Sequence, residues 1–441
     1  MITVSIVIPV FNNAEKLRNC LSDLKLMVSS EIQVVVIDDG STDQSSMVAA
    51  GFSEEFENFT FERLTENKGV GNARNLGIKS SLGEYVYFLD CDDTITGDFS
   101  SSVMLELKAK SDLVFVPIIK MPSGSSIAPY LSYLKQGKIS GREHLLLSIE
   151  RFDSWPQECW GYFIRREFLS SNRIEFMNIR IAEDIVFMTE LFCKIETYSV
   201  LSNPTYIHNR LAGSLGKSFS HNEVASWFMA FLGMVNISKQ FLSDSIEGRL
   251  IANRTATVLS YFLMDFRANE LSARRVFFED FKDLSFYKPL CELVGIKPDQ
   301  SVDMETILFE LLNDCLSNVK KLCSAVGIGK TYLYCYDRLS LGVFQAMRAL
   351  NFEVDGFIDD NIEYLIPKSE IKTRPITPKT LDGKLPQDST FIVCHDKHGV
   401  YLEKKKQFKE LEENGLRIVK FTTKDFVAGL HFENLFKQIS D

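Results

Sequence analysis

A chain of 441 residues, 45% hydrophobic and 24% charged, has the composition of ordinary globular protein and the length for two or three domains. Its formal net charge of -10 excludes a general nucleic-acid binder, which needs a basic face, although local Lys and Arg can still meet a diphosphate. The nine cysteines are scattered, with no Cys-x-x-Cys and no His/Cys zinc spacing, so reduced thiols and a cytoplasmic setting are expected. No apolar stretch approaches the roughly 20 residues that span a bilayer. The start of the chain runs straight into a strand, without a basic segment and cleavage site, so no signal peptide is expected. Peripheral contact with the inner face of the cell membrane stays open.

Residues 3–10, TVSIVIPV, predict a buried strand that leads into Phe11, Asn12 and Asn13. An amphipathic helix follows, with Leu17, Cys20, Leu21, Leu24, Met27 and Val28 at helical spacing. Asn13 is its expected N-cap, and Lys16 stands where a capping box would place an acid. IQVVVI (32–37) gives the next strand and ends in DDGSTD, where Gly40 allows the turn and Ser41 or Thr42 is placed to cap a helix. Two acids plus a glycine exceed what such a turn requires. FTFERL (59–64) and NKGVGNARNLGI (67–78) repeat the strand-then-helix pattern. Gly69 and Gly71 let the backbone pass close to something, and Arg74 follows one helical turn later, suited to phosphate or carboxylate.

Tyr85 to Leu89 then read as a strand buried on both faces, ending in Asp90, Cys91, Asp92 and Asp93. The carboxyl edge of a parallel strand is where open α/β sheets bind ligands. Three carboxylates so close together repel unless a cation lies between them, so a divalent metal is the expected counter-charge. DLVFVP (112–117) predicts a further strand. Strand and helix alternating at this spacing imply a mostly parallel sheet.

SIVIPVFN, IDDGSTD, NKGVGNARNLGI and YVYFLDCDD, in this order and spacing, resemble the family 2 inverting glycosyltransferases. The resemblance covers about the first half of the chain and implies the GT-A fold, a nucleotide-binding α/β sandwich that transfers a sugar from a nucleotide-sugar donor. It implies that Pro9 and Phe11 line the base pocket, that Asp39 bonds the base and that Arg74 contacts the nucleotide. Asp90 and Asp92 would be the DxD pair that holds Mn2+ or Mg2+ on the diphosphate. Bottom-up, these roles are consistent: Phe11 offers a stacking face, Asp39 an acceptor, and a cation neutralises the leaving diphosphate.

In NIRIAEDIVFMTELF (178–192), Ile185, Met188, Leu191 and Phe192 form one apolar helical face behind Glu183 and Asp184. Acids at a helix N-terminus suit the dipole alone. The resemblance implies more: an acid pair before this helix, with Asp184 as the general base that takes the acceptor's proton. Trp160–Gly161 is similar to the family's Trp-x-Lys segment, with Tyr162 where Lys is common, and Trp155 and Trp160 are candidates for sugar stacking or for core. YIHNRLAGSLGKS (206–218) is similar to a segment that closes over the diphosphate. There His208 is a candidate metal ligand, Arg210 and Lys217 are candidate cations, and Gly213–Ser214 match the family.

From 222 to about 325 long helical runs rich in Phe, Leu and Met take over, expected to form core plus a surface for self-association or a lipid-linked acceptor. TYLYCYD (331–337), FEVDGFIDD (352–360), TFIVCHD (390–396) and RIVKF (417–421) then predict strands of a second α/β region. It resembles the small Rossmann-like domain that follows some sugar-modifying enzymes, without the glycines that admit a pyrophosphate, so a structural or docking role is expected.

The expected chain is therefore a GT-A domain over 1–220, a helical region over 221–325 and a Rossmann-like accessory domain over 326–441. The expected activity is metal-dependent inverting transfer from a nucleoside-diphosphate sugar, UDP-linked, to a glycan or lipid-linked glycan. The rivals are a sugar nucleotidyltransferase, which would want a Gly-rich basic loop where VFNNAEKL stands, and a non-catalytic scaffold of the same fold.

Overall fold

A computed structural model describes residues 2–96, 99, 103–104, 107–121, 125–127, 140–152, 157–201, 203, 205–209, 221–242, 244–268, 304–326, 329–334, 343–344, 346–347, 350–358, 389–394, 409, 412–413, 416–421, 423–426 and 428. The chain divides into two compact units, Met1–Arg151 with Trp155–Arg210, and Phe152–Ser154 with Leu211–Asp441.

The first unit opens with β1 (Val4–Val10), α1 (Ala14–Met27), β2 (Ile32–Asp38), α2 (Ser45–Gly51), β3 (Phe59–Arg63), α3 (Val70–Ser80) and β4 (Tyr85–Phe88). Short strands follow: β5 (Thr94–Ile95), β6 (Leu113–Phe115), β7 (Ile118–Met121), β8 (Ser125–Ile127) and β9 (Ser140–Gly141). Then come α4 (Arg142–Phe152), β10 (Tyr162–Arg165), α5 (Arg166–Asn172), α6 (Glu183–Lys194), β11 (Thr197–Val200) and β12 (Tyr206–Asn209).

Eight strands pair in the order β3-β2-β1-β4-β10-β6-β11-β9. β1 is central and parallel to both neighbours, with Val4 opposite Ile32 and Tyr85, and it and β2 are buried along their whole length. Their Val and Ile runs are what a strand covered on both faces requires. The expectation of a parallel sheet holds for β3-β2-β1-β4 and for β6-β11, but β10 runs antiparallel to both β4 and β6. The antiparallel register (Phe163 opposite Tyr87, Arg165 opposite Tyr85) brings the turn before β10 to the carboxyl edge of β4. Trp160 and Gly161 therefore sit beside the acidic turn. A second sheet, β5-β12-β7-β8, starts directly after Asp93 and brings β12 to the same turn.

The second unit contains α7 (His221–Ser238), α8 (Ile246–Ala268), α9 (Met304–Ala325), β13 (Thr331–Tyr334), β14 (Gly356–Ile358), β15 (Thr390–Cys394), β16 (Arg417–Phe421) and α10 (Thr423–Phe426). α7 and α8 pack through aromatic pairs, Phe228 with Phe262 at 5.1 Å and Trp227 with Tyr261 at 5.0 Å between centroids. The four strands form an all-parallel sheet in the order β14-β13-β15-β16, the Rossmann-like arrangement expected from the sequence. Asn318 of α9 anchors the α10 segment, its Nδ2 donating to the carbonyls of Phe426 (3.2 Å) and Ala428 (2.7 Å). Cys335, Asp337 and the turns after β13, β14 and β15 lie outside the described residues. Among the described residues Cys20, Cys91, Cys159, Cys193, Cys315, Cys323 and Cys394 are free thiols, and no helix is long and apolar enough to cross a membrane.

Candidate active site

Three polar turns meet at the carboxyl edge of β1, β2 and β4. Pro9 and Val10 lie opposite Ile37 and Asp38, so β1 and β2 end at one level. Phe11, 45% exposed, follows and presents its ring to solvent. Asn12 adopts a positive φ of 48°. Its backbone N–H donates to Ser41 Oγ (2.9 Å), and its Oδ1 accepts from Thr42 N–H (2.8 Å). Asn13 does occupy the N-cap position of α1, but its side chain makes no capping bond. Asp43 does that work instead. Its Oδ2 accepts from Ala14 N–H (3.1 Å) and its Oδ1 from Ser45 N–H (2.9 Å), so one carboxylate serves two helix N-termini.

The two acids of the second turn divide the labour. Asp38 is fully buried and closes the turn, Oδ1 accepting from Ser41 N–H at 2.9 Å. Asp39 reaches across to the loop before α3, where Oδ1 accepts from Lys68 N–H at 2.7 Å. Burial pushes the Asp39 carboxyl above its ordinary value, against the pull of the Lys68 and Gly69 amides. Gly40 (φ 71°) is required on both counts: its backbone is left-handed, and a Cβ there would lie 2.5 Å from the Glu66 carbonyl carbon.

In the acidic turn after β4, each of the three carboxylates has a partner within the chain. Asp90 takes Arg74 (Nη2 to Oδ1, 3.0 Å). Asp92 takes Lys16 of α1 (Nζ to Oδ2, 3.3 Å). Asp93, 2% exposed, accepts from the Tyr206 hydroxyl and from Asn209 N–H (2.7 Å), and lies 3.1 Å from His208 Nδ1. Burial pushes the Asp93 carboxyl up, while His208 and Tyr206 pull it back. These partners lie 16 to 116 residues away in sequence, which is why the sequence alone does not show them.

Arg74, expected at the nucleotide, is 5% exposed and bridges two acids. Besides Asp90 it donates through Nη1 to Glu183 at 2.7 Å, and its guanidinium lies 5.5 Å from the centre of the Phe176 ring. α3 grips the loop ahead of α6 at two further points. Asn72 Nδ2 donates to Asn178 Oδ1 (2.6 Å), and Asn75 exchanges bonds with both backbone groups of Phe176 (2.8 Å each). Gly71 belongs to the same contact, since a Cβ there would lie 2.8 Å from the Met177 carbonyl oxygen. The close approach that its glycine permits is thus to the chain itself.

That loop ends at Ala182, a non-glycine residue at φ 67° and the N-cap of α6. Strain of this kind is retained where surrounding contacts over-determine it, as α3 does here. Glu183 and Asp184 follow. Burial pushes the Glu183 carboxyl up and Arg74 pulls it back. Asp184, whose Oδ1 accepts from Ile185 N–H at 2.8 Å, is pushed up to about 8, first by burial and then by the Glu183 carboxylate beside it. An acid with that value accepts protons well near neutral pH.

Trp160 lies flat against two rings of β12, Tyr206 (centroids 5.0 Å, planes 12° apart) and His208 (4.8 Å, 18°). Asp93 fixes the His208 ring from the Nδ1 side, which leaves Nε2 as the nitrogen for a cation or ligand. Asn209 Nδ2 donates to the Asp92 carbonyl (3.1 Å) and holds β12 against the turn. Tyr162, in the place where the family has Lys, is 2% exposed and faces the core. Arg210, Gly213, Ser214, Lys217 and Trp155 lie outside the described residues. Among the described residues no three His, Cys, Asp or Glu side chains stand close enough to hold a metal by themselves. The donor chemistry of the turn, a pair of carboxylates, fits Mn2+ or Mg2+, which take few protein ligands when substrate phosphates supply the rest.

Sequence reasoning missed Asp43 as the double cap, Asp93 as the group that orients His208, and Lys16 as the partner of Asp92. The alternation of Tyr206 and His208, two apart on a strand, is the one local signal that both side chains share a face.

A profile of glycosyl transferase family 2 matches residues 5–171. The cholesterol galactosyltransferase of Borreliella burgdorferi is 28% identical over 232 residues, 49% of this chain and 63% of that one. The poly(ribitol-phosphate) beta-glucosyltransferase of Bacillus spizizenii is 27% identical over 209 residues, 46% of this chain and 32% of that one. Among solved structures, S. aureus TarS 1–349 in complex with UDP-GlcNAc is similar at 19% identity and a TM-score of 0.49, covering 79% of this chain and 92% of that one. The chain spans 60% to 63% of the length of the first curated relatives that it matches. Over residues 5–171 the chain is similar to glycosyl transferase family 2, the family that its motifs resemble.

Proposed function

We propose that this chain is an inverting glycosyltransferase that moves a hexosyl unit from a UDP-linked donor to a hydroxyl of a glycan or lipid-linked glycan in cell-surface polysaccharide synthesis. The observation that carries this reading is the Arg74 bridge: one buried guanidinium holds both Asp90 at the donor edge and Glu183 beside Asp184. A fixed spacing between the group at the leaving diphosphate and the group that takes the proton is what a single displacement needs.

In this reading Phe11 stacks on the base beside Pro9, and Asp39 accepts from the base with the carboxylate oxygen not bound to Lys68. Trp160 and the β12 aromatics bound the sugar site, with Arg210 as a further cation toward the diphosphate. Asp92 and Asp90, completed by the diphosphate oxygens, would hold Mn2+ or Mg2+, which supplies charge neutralisation at the departing diphosphate, and His208 Nε2 is the further ligand candidate. Asp184 accepts the acceptor's hydroxyl proton as that oxygen bonds to the anomeric carbon. The bond from that carbon to the diphosphate breaks, and its electron pair leaves with the diphosphate oxygen. Attack from the side opposite the leaving group inverts the centre.

The relatives' names give one sterol and one poly(ribitol-phosphate) acceptor for hexosyl transfer, which supports a hexosyltransferase and favours a cell-surface acceptor. Free thiols among the described residues fit a reducing, cytoplasmic setting. The test pairs binding with turnover. Asp184→Asn is expected to keep the thermal stabilisation given by UDP with manganese and to lose about 10²- to 10⁴-fold in turnover over a panel of UDP-sugars. Normal turnover in that variant moves the base elsewhere. A native chain that UDP with manganese stabilises no more than UDP alone is the scaffold of the rival reading.

A further inference from the structure

The three carboxylates of the acidic turn differ in how firmly their partners are held. Asp90 is paired with Arg74, whose side chain is 7% exposed and tied on its far side to Glu183. Asp93 is buried beneath three residues of β12, Tyr206, His208 and Asn209. Neither partner set can leave without exposing a buried charge or unpairing the small sheet. The Lys16–Asp92 pair is different: one contact at 3.3 Å, between side chains 38% and 36% exposed.

Lys16 also has no local reason to stand where it does. With Asn13 at the N-cap, Lys16 is the third residue of α1, the position at which a capping box carries an acid. An ammonium there opposes the helix dipole and leaves the first-turn amides without a side-chain acceptor, a need Asp43 meets from another element. The tertiary position alone accounts for it: Lys16 reaches a carboxylate 76 residues away.

We propose that Lys16 is an exchangeable counter-ion, built into α1, that occupies Asp92 until a divalent cation arrives with the nucleotide diphosphate and displaces it. The inference rests on the reading of Asp92 as a metal carboxylate and goes beyond it in assigning the residue that competes for that carboxylate. A compact ammonium on a flexible four-carbon stem suits a displaceable cation better than a forked guanidinium does. Its effect is to weaken binding of the free cation and to couple cation binding to the nucleotide. Once displaced, the ammonium remains beside the diphosphate's negative charge, so part of what is lost at Asp92 is recovered when UDP is present.

The experiment measures Mn2+ affinity by titration, with free Mn2+ read by electron paramagnetic resonance, in the full chain with and without UDP. Lys16→Met keeps the stem and removes the charge, Lys16→Arg keeps a cation, and Lys25→Met removes one charge from the far end of the same helix. Lys16→Met is expected to bind Mn2+ about two- to fivefold more tightly without UDP, the worth of an exposed ion pair, with a smaller gain when UDP is bound. Lys16→Arg is expected to stay near the native value, and Lys25→Met to change little. Equal or weaker binding in Lys16→Met overturns the proposal, and so does an equal tightening in Lys25→Met, which would make the effect one of net charge alone. An Asp92→Ala chain that binds Mn2+ as the native chain does removes the underlying metal reading instead. A native chain that loses Mn2+ on Asp92→Ala but ignores Lys16→Met removes the Lys16 assignment only.

Discussion

The two halves of the eight-stranded sheet use the same kinds of apolar residues on different scales. In β3-β2-β1-β4 the strands are 5, 7, 7 and 4 residues long and all parallel. In β10-β6-β11-β9 they are 4, 3, 4 and 2 residues, and β10 and β9 run against their neighbours. A long buried strand carries its register in its own side chains, because a slip of one residue misplaces every one of them. A strand of three or four residues has too few contacts for that and depends on polar ties. Asp112 supplies them here, accepting from Glu196 N–H and Thr197 N–H at 3.0 Å each and pairing with Arg165, so one buried carboxylate fixes where β6 and β11 begin and where β10 ends. The first half thus presents donor-side turns by local rule, and the second is assembled by long-range bonds.

The sharpest way to break this comparison is at the join. Arg74→Met leaves Glu183 and Asp90 without their shared cation and is expected to cost about 3–5 kcal/mol by urea denaturation. Adding Glu183→Gln should recover part of that loss, and no recovery would mean that the bridge is not the join. The next largest effect belongs to the acceptor side. With Asp184 raised to about 8, the proton-accepting form is gained as pH rises, so kcat/KM is expected to climb about tenfold per unit well below that value and about 50-fold from pH 6 to 8, then level off above it. A flat profile over that interval would show that Asp184 does not take the proton. Asp112→Ala strips acceptors from the short strands and is expected to cost about 2 kcal/mol, while equivalent removal of a surface acid on α1, Asp23→Ala, costs far less. The smallest effect tests the local half: Asp43→Ala uncaps two helices at once and is expected to lower stability by about 1 kcal/mol, seen as a shift in denaturant midpoint without a change in slope.

The carboxyl edge of β1, β2 and β4 was largely readable in order along the chain. β1, β2, β3 and β4 fall within a residue or two of their expected bounds, and Phe11, Asp39 and the acidic turn follow the strands that were expected to carry them. Each depends on apolar runs and turn residues a few positions apart. The partners of those acids were not readable. Arg74 was visible as a basic residue after a glycine turn, yet its geometry depends on Glu183, 109 residues later. Gly71 was expected to let the backbone pass close to something, and together with Asn72 and Asn75 it holds the loop that carries Asp184, a contact made across more than 100 residues. His208 stood out as a lone histidine, and its orientation by Asp93 is set across 115 residues.

The sequence by itself determined the alternation of strand and helix, the identity of the polar turns and the family they resemble, because periodicity and turn chemistry act over a few residues. Only the tertiary structure decided which charge meets which: Asp90 with Arg74, Asp92 with Lys16, Asp93 with the β12 residues. Coulombic pairing depends on distance in space, and the placing of α3 beside Asp90, of α1 beside Asp92 and of β12 beside Asp93 sets those distances. No spacing along the chain encodes them.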